Sequence, residues 1–197
     1  MLSVVVLISG SGSNLRALLA ATAEEAYPAR VVAVGSDREC DGLEYALDAG
    51  IPSFVVDPAE FANRAAWGRA LMEAVSPWSP DLIVSAGFMR ILPSDVVRAW
   101  TPRLINLHPA LLPAYPGAHA VRDALADGAT VTGTTIHIVD EGVDTGPVIR
   151  QREVFVLPDD TEEALHERIK IEERDLLVET VADIARHRID LQEIARS

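Results

Sequence analysis

An asparagine and a histidine stand two positions apart where a short apolar run ends. Asn106 and His108 alternate with Ile105 and Leu107, and Pro109 follows at once. In an extended strand this spacing projects both polar side chains from the same face. An imidazole can carry a proton and an amide can donate a hydrogen bond, so the pair suits acid–base chemistry on a bound substrate. A partly buried histidine that only satisfies local hydrogen bonds is the alternative.

A loop with three carboxylates is the second candidate. Residues 140–147, DEGVDTGP, combine Asp140, Glu141 and Asp144 with two glycines and a proline. The loop could be a solvated connection between two strands. Alternatively, one carboxylate turns inward to a histidine, where it would raise the pKa of the ring and orient it.

A glycine-rich segment, GSGSN at residues 10–14, follows the first apolar run. If it opens a helix, its main-chain N–H groups can face an anion, so the segment predicts a phosphate cradle. Leu15 stands where a dinucleotide fingerprint has its third glycine, and the Lys-Ser/Thr pair of a Walker loop is missing. A tight turn without a ligand fits the segment equally well.

Short apolar runs alternate with helical patterns along the first half of the chain. Strands are predicted at residues 4–8, 31–34, 54–56, 82–84 and 104–107, and helices at about 14–23, 43–49, 60–75 and 94–100, with Gly50 as a C-cap. Continuous apolar strands between helices indicate a parallel sheet that is covered on both faces. Ligands bind at the carboxyl edge of such sheets, where Asn106, His108 and the glycine-rich segment would lie.

The second half has a different pattern. Residues 131–139 and 148–156 could pair as antiparallel strands, and residues 161–186 form a closing amphipathic helix. We find no internal repeat and no linker. The sequence therefore predicts an α/β fold: one Rossmann-like domain over residues 1–197, with a mostly parallel sheet, flanking helices and an antiparallel C-terminal strand pair.

The composition limits the kinds of partner and environment that the chain can have. The formal charge of −13 disfavours nucleic acid, although a helix N-terminus can still hold a small phosphate ester. The chain has one cysteine, Cys40, which excludes an internal disulfide and a cysteine-rich zinc site and fits a cytoplasmic protein. No apolar stretch approaches the roughly 20 residues that span a bilayer, so no membrane association is expected.

Four ordered blocks resemble the phosphoribosylglycinamide formyltransferases, also called glycinamide ribonucleotide transformylases. They are ISGSGSNL at 8–15, AGFMRIL at 86–92, NLHPALLP at 106–113 and DEGVDTGP at 140–147. The resemblance extends from residue 4 to about residue 174. It implies transfer of a formyl group from 10-formyltetrahydrofolate, as cosubstrate, to the amine of glycinamide ribonucleotide in purine biosynthesis.

The resemblance also implies roles for individual residues. The catalytic trio would be Asn106, His108 and Asp144. The ribonucleotide would be bound by Gly12, Ser13 and Asn14 through main-chain amides at the phosphate, and by Glu173 at the ribose. The folate would be bound by Arg64, Met89, Arg90, Ile91, Leu92 and Asn106. Ala114 stands where the family often has a basic residue, which argues against a cationic contact there.

The remaining histidines and one aromatic residue are interpreted separately. His119 and His137 fall at family positions near the site and could serve only packing or indirect hydrogen bonds. His166 and His187 are expected on the surface of the closing helix, and Phe88 is expected in the core.

For the implied reaction, Asn106 and a protonated His108 would stabilise an oxyanion while Asp144 holds His108 and helps to remove the amine proton. No metal and no covalent intermediate are required, and a monomer or a homodimer would suffice. Three alternatives stay open: a formyltetrahydrofolate deformylase, a methionyl-tRNA formyltransferase and a non-catalytic nucleotide-binding module. The two enzymes normally carry an extra domain that is not expected here.

Overall fold

The computed structural model describes residues 1–196, and seven strands within them form one sheet. The strands are β1 Leu2–Ile8, β2 Ala29–Ser36, β3 Ser53–Val55, β4 Leu82–Ser85, β5 Leu104–His108, β6 Val131–Ile138 and β7 Val148–Phe155. Their order in the sheet is β3-β2-β1-β4-β5-β6-β7. Strands β1 to β5 run parallel, and β6 and β7 join antiparallel. The predicted fold class is confirmed.

Seven α-helices accompany the sheet within the described residues. They are α1 Ser13–Thr22, α2 Gly42–Asp48, α3 Arg64–Val75, α4 Ser94–Trp100, α5 Ala120–Ala126, α6 Glu162–Ala185 and α7 Leu191–Ile194. Two short 3₁₀ turns flank α3. Gly50 has φ +66° just past α2, so it ends that helix as predicted.

The central strand shows why its residues are almost all apolar. In β1, Val4, Val6 and Ile8 pack into one core with α1 and α6, whereas Val5 and Leu7 pack into the other with α3 and α4. Successive side chains of a strand point to opposite faces, so burying both faces requires apolar residues at every position. The sheet is therefore sandwiched between two helical layers.

The strand order reverses at β1, which has β2 on one side and β4 on the other. The loops that follow β1 and β4 consequently diverge to opposite sides of the sheet and leave a crevice at its carboxyl edge. The glycine-rich segment after β1 and residues 87–92 after β4 border this crevice. The fold thus brings together segments that are about 75 residues apart in the sequence.

Two helix starts have clear chemical causes. Helix α3 begins at Arg64 rather than near residue 60, because the Asn63 side chain accepts the N–H of Ala66 and caps the helix there. Helix α6 begins after Thr161, whose hydroxyl accepts the N–H of Ala164. The closing helix was predicted within one residue at each end.

The short helices α5 and α7 were not predicted, since seven and four residues are too few for a helical period to show. His187 lies just beyond α6 rather than on it, and it is exposed with φ +56°.

Within residues 1–196, no helix combines the length and the apolarity that crossing a bilayer requires.

Candidate active site

The carboxyl edge of the sheet carries a cluster of four polar side chains beside a cleft of about 480 Å³. Strand β5 supplies Asn106 and His108, β6 supplies His137, and the loop after β6 supplies Asp144. All four line the cleft. The predicted same-face pair and the predicted inward carboxylate therefore meet in one place.

The His108 ring is enclosed, with 5% of its side chain exposed. Its Nδ1 lies 3.3 Å from Asp144 Oδ2, and its Nε2 lies 2.8 Å from the main-chain oxygen of Tyr115. Both oxygens can only accept, so only the doubly protonated ring satisfies both contacts. Burial lowers the pKa of His108 below its usual value, although Asp144 and the Tyr115 carbonyl act to raise it. Burial thus favours the neutral ring, while both partners of the charged ring are already in place.

Asp144 is held from several sides. The Gly117 N–H donates to Oδ2 over 2.8 Å, and His137 Nε2 lies 3.5 Å from Oδ1. Burial acts to raise the pKa of Asp144, but the imidazole of His137, the Gly117 N–H and His108 outweigh it, so the pKa lies below its usual value. Asp144 is therefore an anion at neutral pH.

Strand pairing brings His137 to Asn106. The two residues face each other directly in the β5–β6 register, and Asn106 Nδ2 lies 3.2 Å from His137 Nε2. His137 Nδ1 lies 3.0 Å from the Ile138 carbonyl, which can only accept, so Nδ1 carries a proton. Nε2 lies between the Asn106 amide and Asp144 Oδ1, so it accepts from Asn106 when it carries no proton and donates to Asp144 when it carries one. His137 therefore links Asn106 to Asp144 across the end of the two strands.

The predicted folate segment lines the cleft with Met89, Arg90, Ile91 and Leu92. Arg64 is not among the residues that line the cleft, but it contacts this segment from α3, and its direct contact with folate stays a prediction. Its guanidinium donates to the carbonyl of Ile91 over 2.8 Å and to that of Leu92 over 2.7 Å. In this structure Arg64 braces the segment from α3.

The glycine-rich segment opens α1 as predicted. Gly12 is the N-cap, with φ +68°, and no side chain caps the helix start. The first-turn N–H groups of a helix have no partners inside the helix, so those of Ser13 and Asn14 suit an anion. A Cβ at Gly12 would lie 2.7 Å from Gly42 Cα, so glycine is required here.

Glu173 lies beside this helix start. It is buried on α6, and Asn14 Nδ2 donates to its Oε2 over 3.3 Å. Burial raises the pKa of Glu173 above its usual value. Neither Glu173 nor the glycine-rich segment lines the cleft around His108, so the two predicted binding regions are separate.

Other residues fall as follows. His119 is exposed at the start of α5 and lines the cleft. His166 was predicted on the surface, but it is half-buried and lines the cleft, because the start of α6 lies against the cleft wall. Phe88 is buried and stacks on Trp67 with ring centroids 6.3 Å apart.

Among residues 1–196, no group of three or more His, Cys, Asp or Glu side chains could hold a metal ion.

Comparison with known proteins decides the family. A family model described as "Formyl transferase" matches residues 2–181. The phosphoribosylglycinamide formyltransferase of Mycobacterium tuberculosis (strain H37Rv) is 55% identical over 183 residues, which cover 93% of this chain and 85% of that protein. This chain belongs to the formyl transferase family.

Further relatives agree. The phosphoribosylglycinamide formyltransferase of Escherichia coli (strain K12) is 38% identical and matches 98% of this chain and 92% of that protein. A crystal structure of glycinamide ribonucleotide transformylase 1 from Symbiobacterium toebii superposes with a TM-score of 0.92 at 43% identity, covering 95% of this chain and 89% of that one. The resemblance predicted from four sequence blocks is confirmed, and with it the assignment as a transferase.

For a formyl transferase, three features of the site were not evident from the sequence. Tyr115 and Gly117 take part through main-chain atoms, which leave no signal in the residue type. His137 was noted near the site, but its contact with Asn106 depends on the β5–β6 register. Only a residue-by-residue alignment of β5 with β6 would have shown that Asn106 and His137 face each other.

Proposed function

We propose that this chain transfers the formyl group of 10-formyltetrahydrofolate to the amine of glycinamide ribonucleotide, a step of de novo purine biosynthesis. The cluster of Asn106, His108 and Asp144 on the cleft wall carries the proposal. The 55% identity to a phosphoribosylglycinamide formyltransferase supports the choice of substrates.

The cluster fits the charge that develops during the reaction. Attack of the amine on the formyl carbon turns the carbonyl oxygen into an oxyanion, which needs hydrogen-bond donors. The Asn106 amide has two N–H groups; one is given to His137, and the second serves the oxyanion. The other donor is Nε2–H of protonated His108, which leaves its hydrogen bond to the Tyr115 carbonyl and donates to the oxyanion instead.

The same residues also assist the proton transfer from the attacking amine to the folate. The attacking nitrogen forms the new C–N bond and becomes an ammonium that must lose one proton, while N10 of the folate gains one as its bond to the formyl carbon breaks. Asp144, held as an anion beside His108, stabilises the imidazolium and relays the proton, through water where the distance requires it. The proton count is unchanged over the whole reaction.

Two binding regions complete the proposal. The amides of Gly12, Ser13 and Asn14 hold the phosphate at the start of α1, and Glu173 contacts the ribose. The folate lies against Met89, Arg90, Ile91 and Leu92 and reaches Asn106, while Arg64 braces that segment. The position of these regions on either side of the β1–β4 crevice supports transfer between two ligands that meet at the carboxyl edge of the sheet.

One feature argues against the dinucleotide-binding form of the non-catalytic module. Asp37 follows β2, where dinucleotide-binding folds carry the acidic residue for a ribose hydroxyl. Here its side chain has no exposed surface, and its carboxylate is bonded to Arg38 and Arg90. The residue is therefore not available to a ribose.

We further propose one domain over residues 1–197, a cytoplasmic location, and a monomer or homodimer that needs neither metal nor nucleic acid. The single sheet that joins all seven strands supports the first point, and the single cysteine supports the second. The charge of −13 supports the absence of a nucleic-acid partner.

The deciding experiment follows tetrahydrofolate release from 10-formyltetrahydrofolate with and without glycinamide ribonucleotide. We expect release only when the ribonucleotide is present, with Asp144→Asn as the inactive control. Equal release without the ribonucleotide would identify a deformylase. Transfer only to methionyl-tRNA would identify the tRNA enzyme, and no turnover with either acceptor would leave a binding module.

A further inference from the structure

A buried carboxylate outside the catalytic cluster is bonded to the folate segment. Asp37 lies directly after β2, and its side chain has no exposed surface. Its Oδ2 accepts from Arg90 Nε over 2.6 Å and from Arg38 Nη2 over 2.9 Å. The reaction proposed above gives Asp37 no chemical role, so its burial requires another explanation.

The two arginine contacts differ in what they can position. Arg38 is the next residue in the chain, so its bond to Asp37 ties no separate element. Arg90 is 53 residues away, and its bond joins the end of β2 to the segment that follows β4. Bonds between an enclosed carboxylate and a guanidinium are charge-assisted and short, and they hold geometry better than neutral hydrogen bonds.

Asp37 has a second route to the same segment. Ser9 lies close enough to Asp37 for its hydroxyl to lower the pKa of the carboxyl, and Ser9 Oγ accepts the N–H of Met89 over 2.8 Å. Asp37 thus acts on Arg90 through a direct bond and lies next to the residue that anchors Met89.

The middle of the folate segment depends on these polar anchors. Phe88 and Leu92 at its two ends are buried, whereas Met89 is 70% exposed and Ile91 is 61% exposed. Apolar burial therefore fixes the ends and contributes little between them. Between them, Ser9 anchors Met89, Asp37 anchors Arg90, and Arg64 anchors the Ile91 carbonyl.

We propose that Asp37 is a positioning residue that sets the conformation of residues 89–91 for folate binding. The inference rests on the proposed function, because it takes this segment as part of the folate site. Asp37 does not touch the reacting atoms. Its removal therefore raises the Michaelis constant for 10-formyltetrahydrofolate and leaves that for the ribonucleotide, and kcat, nearly unchanged.

The test compares Asp37→Asn with Arg38→Gln. Asparagine keeps one acceptor oxygen but loses the charge that strengthens the bond to Arg90, so we expect Asp37→Asn to raise the folate Michaelis constant roughly 10-fold. Arg38→Gln leaves the bond between Asp37 and Arg90 in place, so it should change the folate Michaelis constant less than about two-fold. Amide exchange of residues 87–92 should be faster in Asp37→Asn alone. Equal changes in both Michaelis constants, or unchanged exchange, would overturn the proposal.

A multiple-mutant comparison separates positioning from general destabilisation. If Asp37 acts through Arg90 and Ser9, adding Asp37→Asn to a Ser9→Ala/Arg90→Gln protein should have almost no further effect on folate affinity. A full additional loss there would show that Asp37 acts independently. Should Asp37→Asn fail to fold by circular dichroism, Arg90→Gln must still speed amide exchange at residues 89–91, a measurement made without folate, and unchanged exchange would overturn the proposal.

Calorimetric titration with tetrahydrofolate separates this proposal from the proposed function. If the wild-type protein does not bind tetrahydrofolate, the proposed function is wrong. If the wild-type protein and Asp37→Asn bind it equally well, only the role of Asp37 is wrong.

Discussion

Three glycines allow the phosphate cradle to be tested with one chemical change, the addition of a methyl group. Gly12 has φ +68°, and its Cβ would lie 2.7 Å from Gly42 Cα. Gly50 has φ +66°, but its Cβ would meet nothing within 4 Å. Gly10 has neither constraint. Alanine at these positions therefore separates the cost of a left-handed backbone from that of a close contact.

The expected costs follow from the geometry. A left-handed conformation costs an L-residue about 1–2 kcal/mol, which we expect for Gly50→Ala. Gly12→Ala adds a backbone shift of about 1–3 kcal/mol, giving roughly 2–5 kcal/mol in total. Gly10→Ala should stay within about 0.5 kcal/mol. Urea unfolding, followed by circular dichroism, measures all three.

The Michaelis constants of the glycine variants provide the second measurement. The shift that relieves the Gly12→Ala contact moves the amides at the start of α1, so the Michaelis constant for glycinamide ribonucleotide should rise roughly 10-fold or more, or about 1.4 kcal/mol. The constant for the folate should change little, and Ser13→Ala, which keeps its N–H, should be mild. If ribonucleotide affinity is unchanged in Gly12→Ala, the phosphate binds elsewhere. If Gly12→Ala is no less stable than Gly50→Ala, the contact with Gly42 is not a constraint.

Three further predictions concern the catalytic cluster. Asp144→Asn should keep the fold and lower kcat about 100-fold or more, and a change of only a few-fold would remove Asp144 from this role. Asn106→Ala and His108→Ala should each lower kcat about 100- to 1000-fold while both ligands still bind by calorimetry, and parallel loss of binding would mean that they only shape the pocket. Burial holds the pKa of His108 in the folded state below its unfolded value of about 6.5. The part of the folding free energy that depends on a neutral His108 is therefore present above that pH and is lost as the pH falls below it. The free energy of unfolding of His108→Gln should therefore fall less than that of wild type between about pH 7.5 and 5, and identical pH profiles would contradict this.

Much of the fold could be predicted because the parallel strands are buried on both faces and are therefore apolar without interruption. The 3₁₀ turn at Pro58–Glu60 shows the limit. Its residues continue the helical pattern of α3, but the Asp57 and Asn63 side chains cap two separate turns. Side-chain capping of this kind is decided by local geometry, so several boundaries were predicted only approximately.

The site was predictable where side chains carry the chemistry and was missed where the main chain does. Strand alternation placed Asn106 and His108 on one face, and the acidic loop offered Asp144. The resemblance to the family implies that Arg64 binds the folate, and this contact stays a prediction. In the structure the guanidinium also donates to two carbonyls, which every residue possesses, so residue type alone could not indicate this bracing contact.

The backbone at the cluster explains why Asp144→Asn isolates charge from shape. Asp144 and Tyr115, which both contact His108, have φ +54°, a left-handed conformation that is costly for most residues other than glycine. Asparagine and aspartate tolerate this conformation better than other side chains, so asparagine keeps the loop path and still offers an oxygen to the Gly117 N–H. Alanine would lose the charge, that hydrogen bond and the tolerated conformation together. A larger loss of stability in Asp144→Ala than in Asp144→Asn, with similar losses of kcat, would assign the carboxylate charge to catalysis and the side-chain type to the loop.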